Sequence, residues 1–560
     1  MKARSVVVVF LIAFIVMCIS PPYAFDKFQF SKTDNAKLLF ERSKGPINGN
    51  SSISLEITFD GWNALISGIQ EVELSLTSPT LVTFFFENFS ILNMNIKKIE
   101  VYGAKATMEA FYDGKYGVLL LNVTPIERVQ RIKIVYTLRY QPLLDIEERD
   151  IIEWHMKSTE DYFYLPPEAY MLIPKIDGNV TINVESYPAS YTLAGILKLP
   201  NNKYKPLLPE KGAFYTDGGR FYVLLGRWNI YKKNIVIDGK NVDVVALTDE
   251  GEWVVDELAK ILKIYSSQLI PYPYRELIYI RFKGHRSEYE GCGLYGGALG
   301  TQFKSVIPHE VAHNWFGMYA ELGLLDESLA TYTSISMNNL TLDTLDKWEA
   351  FCFSSKKRTP IAEMRNIEMS RMTDITANLY YRGGFIFRSL QFVVGNETFF
   401  EGLRELLKIC HVKDCTKTEE TLTLIKEIFE NMTNRDLNWF FEEWFYTADY
   451  PNFTVSSLKI TQNSGYYTLI LNITEENSFT MPLEVGIVTL AENITKRILV
   501  NGSSSLEVKT KERPIMIILD PNNWIANING SSYRFNWEKL TFEKTEKKER
   551  EINGVKIVIN

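Results

Sequence analysis

Cysteine and histidine are the scarce residues of this chain, with five of each among 560. So few cysteines exclude a disulfide-dense scaffold, and so few histidines mean that two at metal-binding spacing stand out. Long hydrophobic runs are missing after the first twenty residues, so nothing later in the chain reads as a membrane-spanning helix. There is also no basic stripe with interleaved aromatics, and a net charge of -7 is small for this length, which argues against a nucleic-acid partner. What remains is a globular composition, 46 % apolar with ordinary charge, able to fill several large cores.

The one apolar run is at the N-terminus. Lys2 and Arg4 precede Val6 to Ile19, a stretch short for a membrane span and right for the core of a secretory signal. Residues 1–24 are therefore expected to be a signal peptide ending near Ala24, although Pro22 stands two residues before, and an uncleaved N-terminal membrane anchor is the alternative. Twelve Asn-x-Ser/Thr sequons, including those at Asn50, Asn88, Asn122, Asn179, Asn396, Asn452 and Asn493, add to an expected extracellular or cell-surface, glycosylated product. Beyond the signal four cysteines remain: Cys292, Cys352, Cys410 and Cys415. A Cys410–Cys415 disulfide would leave Cys292 and Cys352 to pair, and free buried thiols are the other reading.

The pattern then divides the chain. Residues 25–245 alternate apolar and polar with a period of two, as in Ser54-Leu-Glu-Ile-Thr-Phe, and are expected to form a β domain. Helical spacing dominates 246–450, interrupted by the strand Leu277-Ile-Tyr-Ile-Arg-Phe and a Gly-rich loop. Strands return in 451–535, and 536–560 is a charged tail. The expected class is α+β and multidomain.

Within the helical part, residues 309–313 read His-Glu-Val-Ala-His. Residues four apart share a helix face, so His309 and His313 can reach one metal while Glu310 points at the same cavity. Catalytic zinc takes a third protein ligand and leaves a position for water, and Glu327, separated from His313 by thirteen residues, is the natural third. Glu321 is the alternative ligand. Val311, Ala312, Trp315 and Phe316 mark the helix as half buried.

These residues, with Asn-Trp-Phe-Gly after His313, Asp-Glu-Ser-Leu-Ala-Thr-Tyr around Glu327 and Tyr380-Tyr-Arg-Gly, resemble the gluzincin zinc aminopeptidases related to aminopeptidase N. Pro271-Tyr-Pro-Tyr, Trp444 to Pro451 and Asp520-Pro-Asn-Asn-Trp extend the resemblance over most of the chain. It implies a β saddle, a thermolysin-like catalytic domain and a β sandwich, with one zinc ion on His309, His313 and Glu327. It further implies Glu310 as general base and proton shuttle, and Tyr380 as donor to the oxyanion, with Tyr381 as its rival. Glu290 would receive the free α-amine of a peptide substrate, with Glu288 as the substitute. The chain departs from the family in its shorter spacing before Glu327, in Arg382 where a Lys is usual, and in the loop around Glu290. An endopeptidase of the same zinc class, or a non-catalytic binding protein on a peptidase fold, are the alternatives to an aminopeptidase. Oligomeric state is not written in these motifs.

Overall fold

The structure, a computed structural model, describes residues 22–556 except 26–29, 44, 61–62, 87–93, 114–115, 141–161, 166, 168–169, 200–202, 211–212, 217–219, 282–292, 295–296, 301–305, 339–341, 365–371, 464, 529–531, 537–540, 546–550 and 553–554. The signal segment before Pro22 and Cys18, together with His155, His285, Glu288, Glu290 and Cys292, lies outside the described residues. Among the described residues no helix is long and apolar enough to cross a membrane. Two compact units are present, the first made of residues 1–232, 245–254 and 278–302, the second of 233–244, 255–277 and 303–560.

The first unit is built of β-sheets. Ile47–Asp60 and Asn63–Leu74 form a long antiparallel hairpin, in register from Gly49 opposite Leu74 to Asp60 opposite Asn63. Its period-two alternation buries Ile53, Leu55 and Ile57 and exposes Ser52, Glu56 and Thr58. Gln130–Tyr140 and Asn95–Tyr102 extend this sheet to eight strands. A five-stranded sheet carries Leu119, Leu121 and Val123 into the same core cluster as Ile99, Val101, Ile132 and Ile134. A smaller core lies around Tyr222, Leu224 and Trp228, where Ile278 and Ile280 pack and the Trp228 indole donates to the Arg281 carbonyl.

The second unit holds most of the helices. Val306–Ala312 has Pro308 in its first turn, where the missing N–H breaks no helical bond. It ends in a tight turn in which Asn314 N–H returns to Val311 O and Phe316 N–H to Ala312 O. Leu325–Ser336 is buried over most of its length, and Asp326 in its first turn accepts from the Leu322 N–H at 2.9 Å. Thr376–Arg382 is a π-helical turn that runs straight into the α-helix Gly383–Val394. Such wide turns cost backbone geometry and often occur where a side chain must be re-aimed.

The C-terminal part of this unit holds two larger antiparallel sheets, besides the short pair Glu551–Ile552 and Val555–Lys556. One comprises Phe453–Asn463, Tyr466–Glu475 and Ser503–Thr510; the other has five strands, with Thr480–Val488 beside Met516–Leu519. This second sheet continues into the segment read from sequence as tail: Thr541–Lys544 pairs with Ser532–Asn536, and Phe542 meets Phe535 at 5.2 Å. The turn 520–527 joins sandwich to helices. Arg388 donates to the Asn522 and Asn523 carbonyls at 3.0 and 2.7 Å, Asn523 donates to Asp346, and the Asn527 N–H to Glu349.

Cys410 and Cys415 form a disulfide. Among the described residues Cys352 is a buried free thiol with its Sγ directed at the Trp348 carbonyl one helical turn back; the expected alternative, a pairing with Cys292, falls outside them.

Candidate metal centre and active site

The site is made by two helices and the π-helical turn, all within the second unit. His309 and His313 stand one turn apart on Val306–Ala312 and the residue after it, with ring centroids 4.8 Å apart. Glu327, in the first turn of Leu325–Ser336, places its Oε2 3.1 Å from His309 Nε2 and 3.3 Å from His313 Nε2, and the two Nε2 atoms are 3.1 Å apart. The three donors thus make a near-equilateral triangle. Tetrahedral zinc with bonds of about 2.0–2.1 Å separates its ligands by roughly 3.3 Å, so the spacing fits that ion, as does the pairing of two imidazoles with one carboxylate. Among the described residues this is the one cluster of three or more His, Cys, Asp or Glu close enough to share a metal, and Glu321 is not in it.

Each imidazole has its other nitrogen engaged. His313 Nδ1 lies 3.0 Å from the Phe316 carbonyl and therefore carries a proton, so Nε2 is the nitrogen presented to a metal. His309 Nδ1 lies 3.3 Å from the hydroxyl of Thr331, four residues after Glu327 on the same helix. Orientation of this kind fixes the tautomer and aims the ring.

The π-helical turn brings Tyr380 to the centre. Its ring stacks on that of His309 at 5.6 Å, and the nearby Glu327 charge acts on its hydroxyl. Tyr381, the rival, turns away to stack on Phe351 at 5.0 Å and to meet the edge of Trp348 at 5.7 Å. Close helix contact sets this geometry: Ser328 Oγ donates to the Leu379 carbonyl at 2.8 Å, and a Cβ on Gly383 would stand 2.2 Å from that same Oγ. Arg382 is wholly buried, and among the described residues no carboxylate lies at hydrogen-bond distance; it donates to the carbonyls of Thr359, Trp444, Thr447 and Asp449. It ties the turn to the end of the last helix, which explains a cation at that position.

A cavity of about 170 Å³ opens beside these groups, lined by His309, Glu310 and Tyr380 and walled by Thr331, Trp348 and Tyr381. The electrostatics follow from crowding in a half-buried space. Burial pushes the Glu310 carboxyl up, against the pull of the two imidazoles. Burial also works to raise Glu327, but His313 and His309 overrule it and hold that carboxylate well below its usual range. For His313 burial disfavours the charge, yet Glu327 more than compensates, and its pKa rises to about 9. Burial, then the Glu327 and Glu310 charges, keep the Tyr380 hydroxyl protonated far above its ordinary range.

Sequence spacing pointed to the metal donors and Glu310, and the family resemblance to Tyr380, but neither marked Thr331, Ser328 or Trp348. Thr331 had a signal, since it stands one helical turn beyond Glu327. Trp348 had none, because the helix Leu342–Cys352 that carries it meets the site only in the folded chain.

Residues 298–444, which contain every described residue of this site, match the model of the peptidase family M1 domain. This stretch is a peptidase family M1 domain. The chain is similar to curated relatives at low identity. Aminopeptidase 2 of Candida albicans is 24 % identical over 338 residues, 53 % of this chain and 34 % of that protein. Leucyl aminopeptidase of Saccharolobus solfataricus is 24 % identical over 248 residues, 41 % of this chain and 29 % of that protein. The chain thus spans about a third of the length of these curated relatives. A crystal structure of an M1 zinc metallopeptidase from Deinococcus radiodurans is similar with a TM-score of 0.46 and 15 % identity, covering 73 % of this chain and 95 % of that one.

Proposed function

We propose that the chain is a zinc aminopeptidase that removes N-terminal residues from peptides. The observation that carries this reading is the convergence of Glu310, Tyr380 and the His309 face of the donor triangle on one cavity. Zinc, when held by His309, His313 and Glu327, supplies a Lewis acid that lets water ionise near neutral pH. Glu310 takes a proton from that water on its carboxylate and hands it to the departing amine, a task suited to a carboxyl whose pKa burial has raised. Tyr380 stays neutral and donates its hydroxyl to the oxygen that gains charge as the carbonyl becomes tetrahedral. Glu290 binds the substrate's free ammonium, a charge pairing that would separate an aminopeptidase from an endopeptidase. The likeness to proteins named aminopeptidases supports the choice.

Export belongs to the same proposal. The signal segment, the twelve sequons and the Cys410–Cys415 disulfide suit an oxidising, extracellular or cell-surface address and a glycosylated chain.

The test uses residues 25–560 with zinc, matched peptides with free and acetylated N-termini, and Glu310→Gln as control. Stepwise loss of N-terminal residues from the free peptides alone supports the proposal. Internal cuts in both, abolished by the substitution, make the protein an endopeptidase. No Glu310-dependent cleavage with zinc bound leaves a binding protein on a peptidase fold.

A further inference from the structure

The connection between His313 and Glu327 is short, and its middle is gripped by a loop almost a hundred residues away in sequence. On the histidine side, Met318 N–H donates to His313 O at 3.1 Å, Ala320 N–H to Trp315 O at 3.1 Å, and Tyr272 bonds Asn314 at 3.1 Å. On the glutamate side, Leu325 N–H donates to Leu322 O and Asp326 N–H to Gly323 O, so the backbone at Gly323 starts the turn that carries Glu327. Tyr319 and Gly323 are two points of this connection met by residues beyond position 410. The Tyr319 ring lies on the His411 ring with centroids 4.1 Å apart and planes within 3°, and His411 Nδ1–H donates to the Tyr319 carbonyl at 2.9 Å. Gly323 has a φ of +62°, and a Cβ there would come within 2.3 Å of the Thr416 carbonyl oxygen. Glycine is required twice over, by the left-handed backbone and by this close approach.

His411 and Thr416 flank the Cys410–Cys415 disulfide, and both cysteines are buried. The loop is further fixed at its far end, where Thr421 Oγ1 donates to Cys415 O and Asp414 accepts from the Thr416 N–H at 2.9 Å. Nothing in this loop reaches the metal donors, yet it presses on the connection from which both His313 and Glu327 extend.

We infer that the disulfide-closed loop 410–416 is a brace that positions the third metal ligand, acting through His411 on Tyr319 and through Thr416 on Gly323. The inference rests on the metal reading of His309, His313 and Glu327. Its role is positional: the disulfide keeps His411 and Thr416 at fixed spacing, and they keep Glu327 in register with the two imidazoles. Zinc affinity is then set partly by a bond that forms only in an oxidising compartment.

The experiment measures zinc dissociation constants by chelator competition on the full chain, for the unaltered protein, His411→Ala, His411→Phe, the double variant Cys410→Ser/Cys415→Ser, and Lys413→Ala as an exposed control in the same loop. Metal-free melting temperatures and the visible spectrum of the cobalt(II)-substituted protein are recorded alongside. Expected is a loss of about tenfold or more in zinc affinity for His411→Ala and the cysteine pair. The cobalt bands should also change in intensity, His411→Phe should partly rescue through its retained stacking, and Lys413→Ala should have no effect. Zinc affinities within twofold of the unaltered protein in both His411→Ala and the cysteine pair would overturn the brace. So would losses matched by an equal effect of Lys413→Ala. If the unaltered protein itself binds no zinc, the metal reading fails first. His411→Ala breaks no covalent bond, so the test stands even where the cysteine variant does not fold.

Discussion

The hydroxyl of Thr331 faces Nδ1 of His309 at 3.3 Å, so a residue that touches no ligand atom helps to aim that ring. Thr331→Val keeps the volume and removes the hydroxyl. Zinc affinity should fall by about tenfold to a hundredfold, with the fold unchanged by circular dichroism. Equal affinity in a chelator titration would show that ring packing alone orients His309.

The metal-free protein should lose stability as pH rises. His313 goes from an ordinary 6.5 to about 9 in the fold, chiefly because Glu327 outweighs its burial. A raised pKa means the contribution is complete below about 6.5 and disappears as pH climbs through about 9. Thermal melts of the apoprotein from pH 6 to 9.5 check the sign. In the same window zinc must displace this proton, so its binding near neutral pH should release protons, measurable from the buffer dependence of the binding enthalpy.

Removing the Tyr380 hydroxyl should slow chemistry without loosening substrate. Tyr380→Phe preserves the stack on His309 at 5.6 Å. A drop in kcat of about 10²–10³-fold with little change in KM is expected for loss of one oxyanion donor. Steady-state kinetics on a single peptide are sufficient; an unchanged kcat would move the role elsewhere.

Gly383 is the steric gate of the π-helical turn. With Ser328 Oγ 2.2 Å from where its Cβ would be, Gly383→Ala should destabilise by about 1–3 kcal/mol and displace Tyr380. The melting temperature should fall and kcat with it. Adding Ser328→Gly to clear the space should restore the melting temperature in part.

The sequence was informative wherever one periodicity decided the outcome. Alternation in Ser54–Phe59 translates directly into the buried Leu55 and Ile57, and the four-residue step from His309 to His313 into Nε2 atoms 3.1 Å apart. A separation of five positions between Cys410 and Cys415 was short enough to suggest their disulfide. Contacts made across long sequence distance were not legible. Arg382 finds its acceptors more than sixty residues on, at Trp444 to Asp449, and Trp348 reaches the cavity from a helix whose own pattern shows only an amphipathic face. The π-helical turn also left no trace, because a wide turn and an α-helix share nearly the same apolar spacing.

Asp346 and Glu349 tie the helix of Trp348 to Asn523 and Asn527, while Arg388 takes the Asn522 and Asn523 carbonyls. A recombinant fragment ending at Tyr450 would remove these contacts from Asp346, Glu349 and Arg388 and free the wall of the cavity. Any expression boundary for the M1 segment therefore has to include residues 451–527, even though the reacting groups all precede them.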